Sequence, residues 1–124
     1  MAPAPQSSSS LTTRKPHRLT RRAEFLAAAA KGRRAAVHGL VLQALPRPDQ
    51  GPARLGFTVT KKVGNAVVRN RTRRRLKEAA RLVLAEAPPT GVDLVLIGRD
   101  TTRARPFADL QDDLRRAMKK AGVP

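Results

Sequence analysis

The segment 61–87 constrains the fold of this chain more than any other stretch. It begins KKVGNAVVRNRTRRR and runs without proline until Pro88 and Pro89. Gly64 suits a turn, and Asn65 is a favourable residue for the N-cap of a helix. The two prolines cannot continue a helix. We therefore predict a long helix from about Asn65 to about Ala87, entered through a tight turn.

The faces of this helix differ in charge when its residues are spaced at about 100°. The predicted core stripe consists of Leu76, Ala80, Val83 and Ala87. The residues predicted to face away from the core are Arg71, Arg74, Glu78 and Arg81. Arg69 and Arg73 lie close to the core stripe on the N-terminal side of Leu76, with Asn70 at its edge. Cations on the inner side of a helix end are typical of a groove that holds an anionic ligand. Lys61 and Lys62 add charge beside the helix N-terminus, which favours phosphate.

The overall charge of the chain points to a polyanionic partner. Its 124 residues include 26 Lys and Arg against 9 Asp and Glu, a net charge of +17. Nucleic acid is the leading partner, and an anionic membrane surface is the alternative. A basic run that is only solvated is the third interpretation. With three Phe and no Tyr or Trp, the chain offers little stacking to single-stranded nucleic acid.

The rest of the pattern predicts one α+β domain, an α/β sandwich of the order α-β-β-β-α-β-α. The predicted helices besides the basic one are Leu19–Lys31, with Thr20 as N-cap and Gly32 as C-cap, and Pro106–Ala121. The predicted strands are Val37–Leu45, Arg54–Thr60 and a central Val92–Arg99, with a further pairing near residues 33–36. Residues 1–17, rich in Pro and Ser, are expected to form a disordered tail without a signal sequence, and residues 18–121 to form the domain. We expect a cytoplasmic protein.

No catalytic machinery is evident in the polypeptide. The chain has no Cys, so a disulfide and a cysteine-ligated zinc site are excluded. His17 and His38 have no motif-like spacing, and no Ser/His/Asp set, Walker loop or His–carboxylate cluster occurs. We therefore predict no catalytic residue and no metal site in the protein itself, and a stand-alone nuclease is disfavoured.

The stretch KKVGNAVVRNRTRRRLKEAAR, residues 61–81, closely resembles the K-K-x-G-x-A-V-x-R-N-R signature of the bacterial ribonuclease P protein family. RRAEF, RLGFTV and DLVLIGR fit the same family, and the resemblance covers about residues 18–120. It implies a four-stranded sheet with a left-handed β-α-β crossover, an exception to the usual hand.

The resemblance also implies a function. The family's protein binds a catalytic RNA and the single-stranded 5′ leader of precursor tRNA, and assists Mg²⁺-dependent removal of the leader. The chemistry belongs to the RNA and its bound Mg²⁺. We expect a monomer, one per RNA, without a membrane partner. A structural RNA-binding protein, such as a ribosomal protein, is the alternative.

Carried over by position, the resemblance implies two sets of site residues. The RNA-binding set is Lys61, Lys62, Arg69, Asn70, Arg71, Arg73, Arg74 and Lys77. The leader-cleft set, between the basic helix and the sheet, is Phe25 and Gln43, to which we add Phe57 of the predicted strand Arg54–Thr60. Ala29 and Gln43 stand where the family usually or often has aromatics, so we expect charge and polar contacts to replace stacking. Outward Arg71 and Arg74 would then bind the catalytic RNA, and the inner edge of the helix would bind the leader.

Overall fold

The computed structural model describes residues 17–123 as one mixed sheet with helices on both faces. The strands are β1 (His17–Arg18), β2 (Arg33–Ala36), β3 (Leu40–Pro46), β4 (Arg54–Thr58) and β5 (Val92–Gly98). The helices are α1 (Arg22–Lys31), α2 (Ala66–Glu86) and α3 (Phe107–Lys120), and a 3₁₀ turn, Lys61–Val63, precedes α2. This arrangement confirms the predicted α+β class.

The sheet has the strand order β1-β4-β5-β3-β2, so β5 is central as predicted. It runs parallel to β4, with Gly56 opposite Val95, and antiparallel to β3, with Gln43 opposite the same residue. The predicted β-α-β connection is therefore present as β4-α2-β5, and its hand stays a prediction. The sheet has five strands instead of the expected four, because the two residues of β1 pair with β4.

The β2–β3 hairpin corrects one predicted boundary. The strand expected from Val37 begins at Leu40, because the chain turns between β2 and β3. In that turn the Val37 N–H donates to the Leu40 carbonyl at 3.0 Å. The additional pairing near residues 33–36 is confirmed as β2.

The core lies on both faces of the sheet, because successive strand side chains point to opposite sides. The larger cluster packs α2 and α3 against one face; its most deeply buried members include Leu42, Leu76, Leu94, Leu96, Leu110 and Leu114. The smaller cluster lies under α1 and consists of Leu19, Ala28 and Val95, with half-buried Phe25, Leu45 and Ile97.

Two helix ends differ from prediction. Helix α1 is capped at Arg21 instead of Thr20, because the backbone is still extended at Arg21 and the helix begins at Arg22. The Glu24 carboxylate accepts from the N–H groups of both Thr20 and Arg21. Gly32 is the C-cap as predicted. Ala87, expected in the core stripe of α2, is exposed, since the helix ends at Glu86 and Ala87 has left the helical path.

The predicted tail, residues 1–17, lies outside the described residues except for His17. That residue belongs to β1, and its N–H donates to the Ala53 carbonyl at 2.7 Å. Among residues 17–123, none of the helices combines the length and apolar character needed to cross a bilayer.

Candidate nucleic-acid interface

A tight turn carries the chain from β4 into α2 and places two lysines at the surface. Val63 is buried in the 3₁₀ turn and anchors it, whereas Lys61 and Lys62 are exposed. A side chain at Gly64 would clash with Val68, since its Cβ would lie 2.8 Å from a Val68 methyl group. Asn65 then caps α2, as predicted, by accepting from the Val68 N–H at 3.0 Å. The sequence folds this way because Gly64 has no side chain to clash with Val68, and because the short side chain of Asn65 can cap the helix.

The first half of α2 presents its basic residues at two depths. The exposed residues are Asn70, Arg71 and Arg74, and the half-buried residues are Arg69, Arg73 and Lys77. These depths agree with the predicted inner position of Arg69 and Arg73. The Asn70 side-chain oxygen accepts from Arg73 Nη1 at 3.1 Å, which orients one member of the set. Arg69 Nε is buried without a partner within residues 17–123.

Among residues 17–123, these cations have no carboxylate partner, although that part of the protein forms many ion pairs. Within residues 17–123, every carboxylate side chain except Asp100 and Asp109 pairs with an arginine. The arginines in those pairs are Arg47, Arg54, Arg81, Arg105, Arg115 and Arg116. None of them lies in the segment 61–77. The fold therefore uses its few acids elsewhere and leaves this segment strongly positive.

Arg75 belongs to the same basic run, but it has a structural role that its place in the sequence does not indicate. Its Nη2 donates to the Arg105 carbonyl, and its guanidinium lies 5.8 Å from the centre of the Phe107 ring. The cation–π contact holds the N-terminus of α3 against α2. The RRR run gave no sign that one of its arginines is structural.

Phe25 lies on the sheet face opposite α2. Its ring covers Gly56 of β4 so closely that a Cβ there would lie 2.4 Å from the ring. Gln43 is on the same face, because it stands opposite Val95, a member of the cluster under α1. Phe25 is half-buried, and Gln43 is only 8% exposed. These two predicted cleft residues therefore share a face.

Phe57 does not share that face, so the three predicted cleft residues do not line one cleft. It follows Gly56 in β4, points to the opposite side and packs against the larger core cluster. The predicted location between α2 and the sheet is also wrong, because Leu76, Ala80 and Val83 fill that space. The accessible apolar surface of the sheet lies instead beside α1.

An ion network ties α1 to the sheet next to this surface. Asp93, with a side chain 3% exposed, accepts from Arg47 at 2.8 Å and from Arg54 at 2.7 Å. Burial alone would raise the Asp93 pKa, but hydrogen bonds from the two arginines outweigh it and hold the pKa below its usual value. Arg54 also reaches Glu24 of α1, whose pKa is lowered mainly by the N–H of Arg21. Sequence alone gave no sign of this network.

The described part of the chain has no group of three or more His, Asp or Glu side chains placed to hold a metal ion.

Comparison with known proteins identifies the family. The family model for Ribonuclease P matches residues 13–122. A ribonuclease P protein component of Gluconacetobacter diazotrophicus is 69% identical over 107 residues, which cover 86% of this chain and 92% of that protein. The corresponding protein of Ruegeria pomeroyi is 53% identical over 110 residues, 86% of each chain.

Solved structures agree with this match. The RNase P protein of Staphylococcus aureus aligns with a TM-score of 0.74 and 28% identity, over 88% of this chain and 98% of that one. The RNase P protein of Thermotoga maritima aligns with a TM-score of 0.71 and 26% identity, over 84% and 96%. This chain therefore belongs to the ribonuclease P protein component family.

Proposed function

We propose that this protein is the RNA-binding subunit of a cytoplasmic ribonuclease P ribonucleoprotein. One copy binds the catalytic RNA and the 5′ leader of precursor tRNA, and assists hydrolytic removal of the leader. The catalytic RNA holds the Mg²⁺ ions, which supply an activated water and stabilise the leaving oxygen. The protein contributes binding and positive charge.

The observation that carries the proposal is the run of cations from Lys61 to Lys77, which pair with no carboxylate of the described residues 17–123. Phosphates attract such cations and release counterions when they bind them. An RNA that lies along the exposed side of α2 can contact Arg71 and Arg74 directly and can also reach the half-buried Arg69 and Arg73. Arg71 and Arg74 are the most accessible of these contacts.

The surface beside α1 is the proposed leader site. Half-buried Phe25, Leu45 and Ile97 offer apolar contact to a base, and Gln43 offers a polar group. Ala29 is exposed where the family usually has a second aromatic, so less stacking is available. The catalytic RNA then contacts the α2 side of the sheet and the leader contacts the α1 side, instead of the two RNAs contacting two edges of α2.

Reconstitution tests this function. The full-length protein is mixed with the catalytic RNA of the same organism, and cleavage of precursor tRNA is followed across a Mg²⁺ titration. We expect the protein to lower the Mg²⁺ concentration needed for cleavage. No acceleration at any Mg²⁺ concentration contradicts the proposal.

Two controls separate the alternatives. Cleavage by RNA-free protein would indicate a stand-alone nuclease. Recovery of ribosomal RNA instead of the processing RNA with tagged protein would indicate a structural ribosomal role.

A further inference from the structure

A recess of about 280 Å³ lies between the first half of α2 and the loop 99–105, which connects β5 to α3. Val68 and Arg71 of α2 line one side, and Arg103 and Ala104 of the loop line the other. Both arginines are exposed. Two arginines from separate elements therefore line one recess, together with the apolar residues Val68 and Ala104.

The start of the loop is held against the β2–β3 turn by side-chain hydrogen bonds. Thr101 Oγ1 donates to the His38 carbonyl at 2.5 Å, and Thr102 Oγ1 donates to the Gly39 carbonyl at 2.6 Å. Thr102 is fully buried, and its Oγ1 also accepts from the Arg99 N–H at 2.7 Å. The position of the loop is thus determined by the hairpin it contacts.

The end of the loop is held by both neighbouring helices. Arg105 pairs at 2.8 Å with Asp113 of α3, whose side chain is fully buried. The Arg105 carbonyl accepts from Arg75 of α2. Because both ends of this short loop are anchored, Arg103 is presented beside Arg71 by the fold itself.

The charges at the recess are unbalanced. Neither Arg71 nor Arg103 forms an ion pair with a carboxylate within residues 17–123, whereas Arg105, in the same loop, does. Two guanidinium groups at one recess repel each other. An anion with several acceptor oxygens removes that repulsion, and phosphate matches the forked donors of arginine.

We propose that Arg71 and Arg103 together bind one backbone phosphate of the catalytic RNA in this recess. The inference rests on the proposed function and extends the interface from α2 to the loop 99–105. The recess lies between α2 and the loop into α3, whereas Phe25 and Gln43 lie on the other face of the sheet. The phosphate therefore belongs to the catalytic RNA and not to the leader.

The test measures binding of the full-length protein to the catalytic RNA without precursor tRNA. The variants are Arg71→Gln, Arg103→Gln, the double variant and Arg115→Gln. Arg115 is an exposed, ion-paired arginine of α3, so its variant matches the loss of one charge. Each of the first two changes should weaken binding about tenfold, the effect of losing a charge-assisted hydrogen bond. Arg115→Gln should change it less than about twofold.

Sharing of one phosphate predicts a non-additive loss, in which the double variant loses clearly less affinity than the product of the two single losses. An additive loss of about a hundredfold would mean two separate phosphates and would overturn the shared site. Arg103→Lys should recover only part of the affinity, because lysine keeps the charge but loses the forked donors.

If Arg103→Gln binds like Arg115→Gln, the inference is wrong even when wild-type protein passes the processing assay. Failure of wild-type protein in that assay instead contradicts the proposed function. All variants should melt within a few degrees of wild type, because the substituted side chains are exposed. The two failures are therefore distinguishable.

Discussion

The guanidinium of Arg54 in β4 donates to the carboxylate of Glu24 in α1 at 2.5 Å, across the boundary between helix and sheet. Glu24 directly precedes Phe25, whose ring covers Gly56 two residues beyond Arg54 in β4. The same guanidinium holds Asp93 of β5. An ion network therefore fixes the helix that carries the proposed leader contact.

Removal of the charge at the centre of the network should destabilise the protein. Asp93→Asn leaves Arg47 and Arg54 partly buried without their shared carboxylate. We expect a loss of about 3 kcal/mol in the free energy of unfolding, measured by urea denaturation. Asp112→Asn is the matched control, since Asp112 forms an exposed pair and should cost less than about 1 kcal/mol. Equal effects would show that the network adds nothing beyond a surface pair.

Acid should destabilise the protein through the same groups. The folded-state pKa values of Asp93 and Glu24 lie below their usual values, so the unfolded chain binds more protons in acid. Their contribution is present above the unfolded-state pKa values, near 4, and is lost as the pH falls through the folded-state values. The melting temperature should fall as the pH is lowered below about 5, and Asp93→Asn should show a shallower fall. An identical pH profile in that variant would contradict this assignment.

Substitution of Gly56 should lower stability and leader binding, because the Phe25 ring leaves no room for a side chain at position 56. Gly56→Ala places a methyl group against the ring, which must move, at a cost of about 1–3 kcal/mol. In the reconstituted complex we expect weaker binding of precursor tRNA with a leader and unchanged binding of leaderless tRNA. Phe25→Leu serves as the comparison, because it removes the aromatic ring and keeps an apolar side chain. If both variants bind leader normally, Phe25 is only a core residue.

Local signals in the sequence were sufficient for much of the fold. Asn65 and the prolines at 88 and 89 defined α2, and the apolar run from Val92 identified the central strand. The β1 strand was not predicted, because two residues carry no periodicity. The start of β3 was misplaced, since Val37 is as apolar as a strand residue although it lies in a turn.

The site was less predictable than the fold. Helical periodicity correctly placed Arg69 and Arg73 near the inner side of α2. It gives no information about the opposite face of the sheet, and Phe57 lies on the α2 side, apart from Phe25 and Gln43. Arg103 stands alone in a loop, and only the tertiary contacts of that loop bring it to Arg71. The positions of Phe57 and Arg103 in the fold are determined by contacts with residues that are distant in sequence, so local patterns cannot reveal them.

Whether the basic residues of α2 contact RNA phosphates is best measured by the salt dependence of binding to the catalytic RNA. The slope of log affinity against log salt should fall by about 0.7–0.9 in Arg73→Gln, for one lost phosphate contact, and should stay at the wild-type value in the ion-paired control Arg115→Gln. A wild-type slope in Arg73→Gln would show that Arg73 contacts no phosphate, and an equal fall in both variants would show that the effect is not specific to α2.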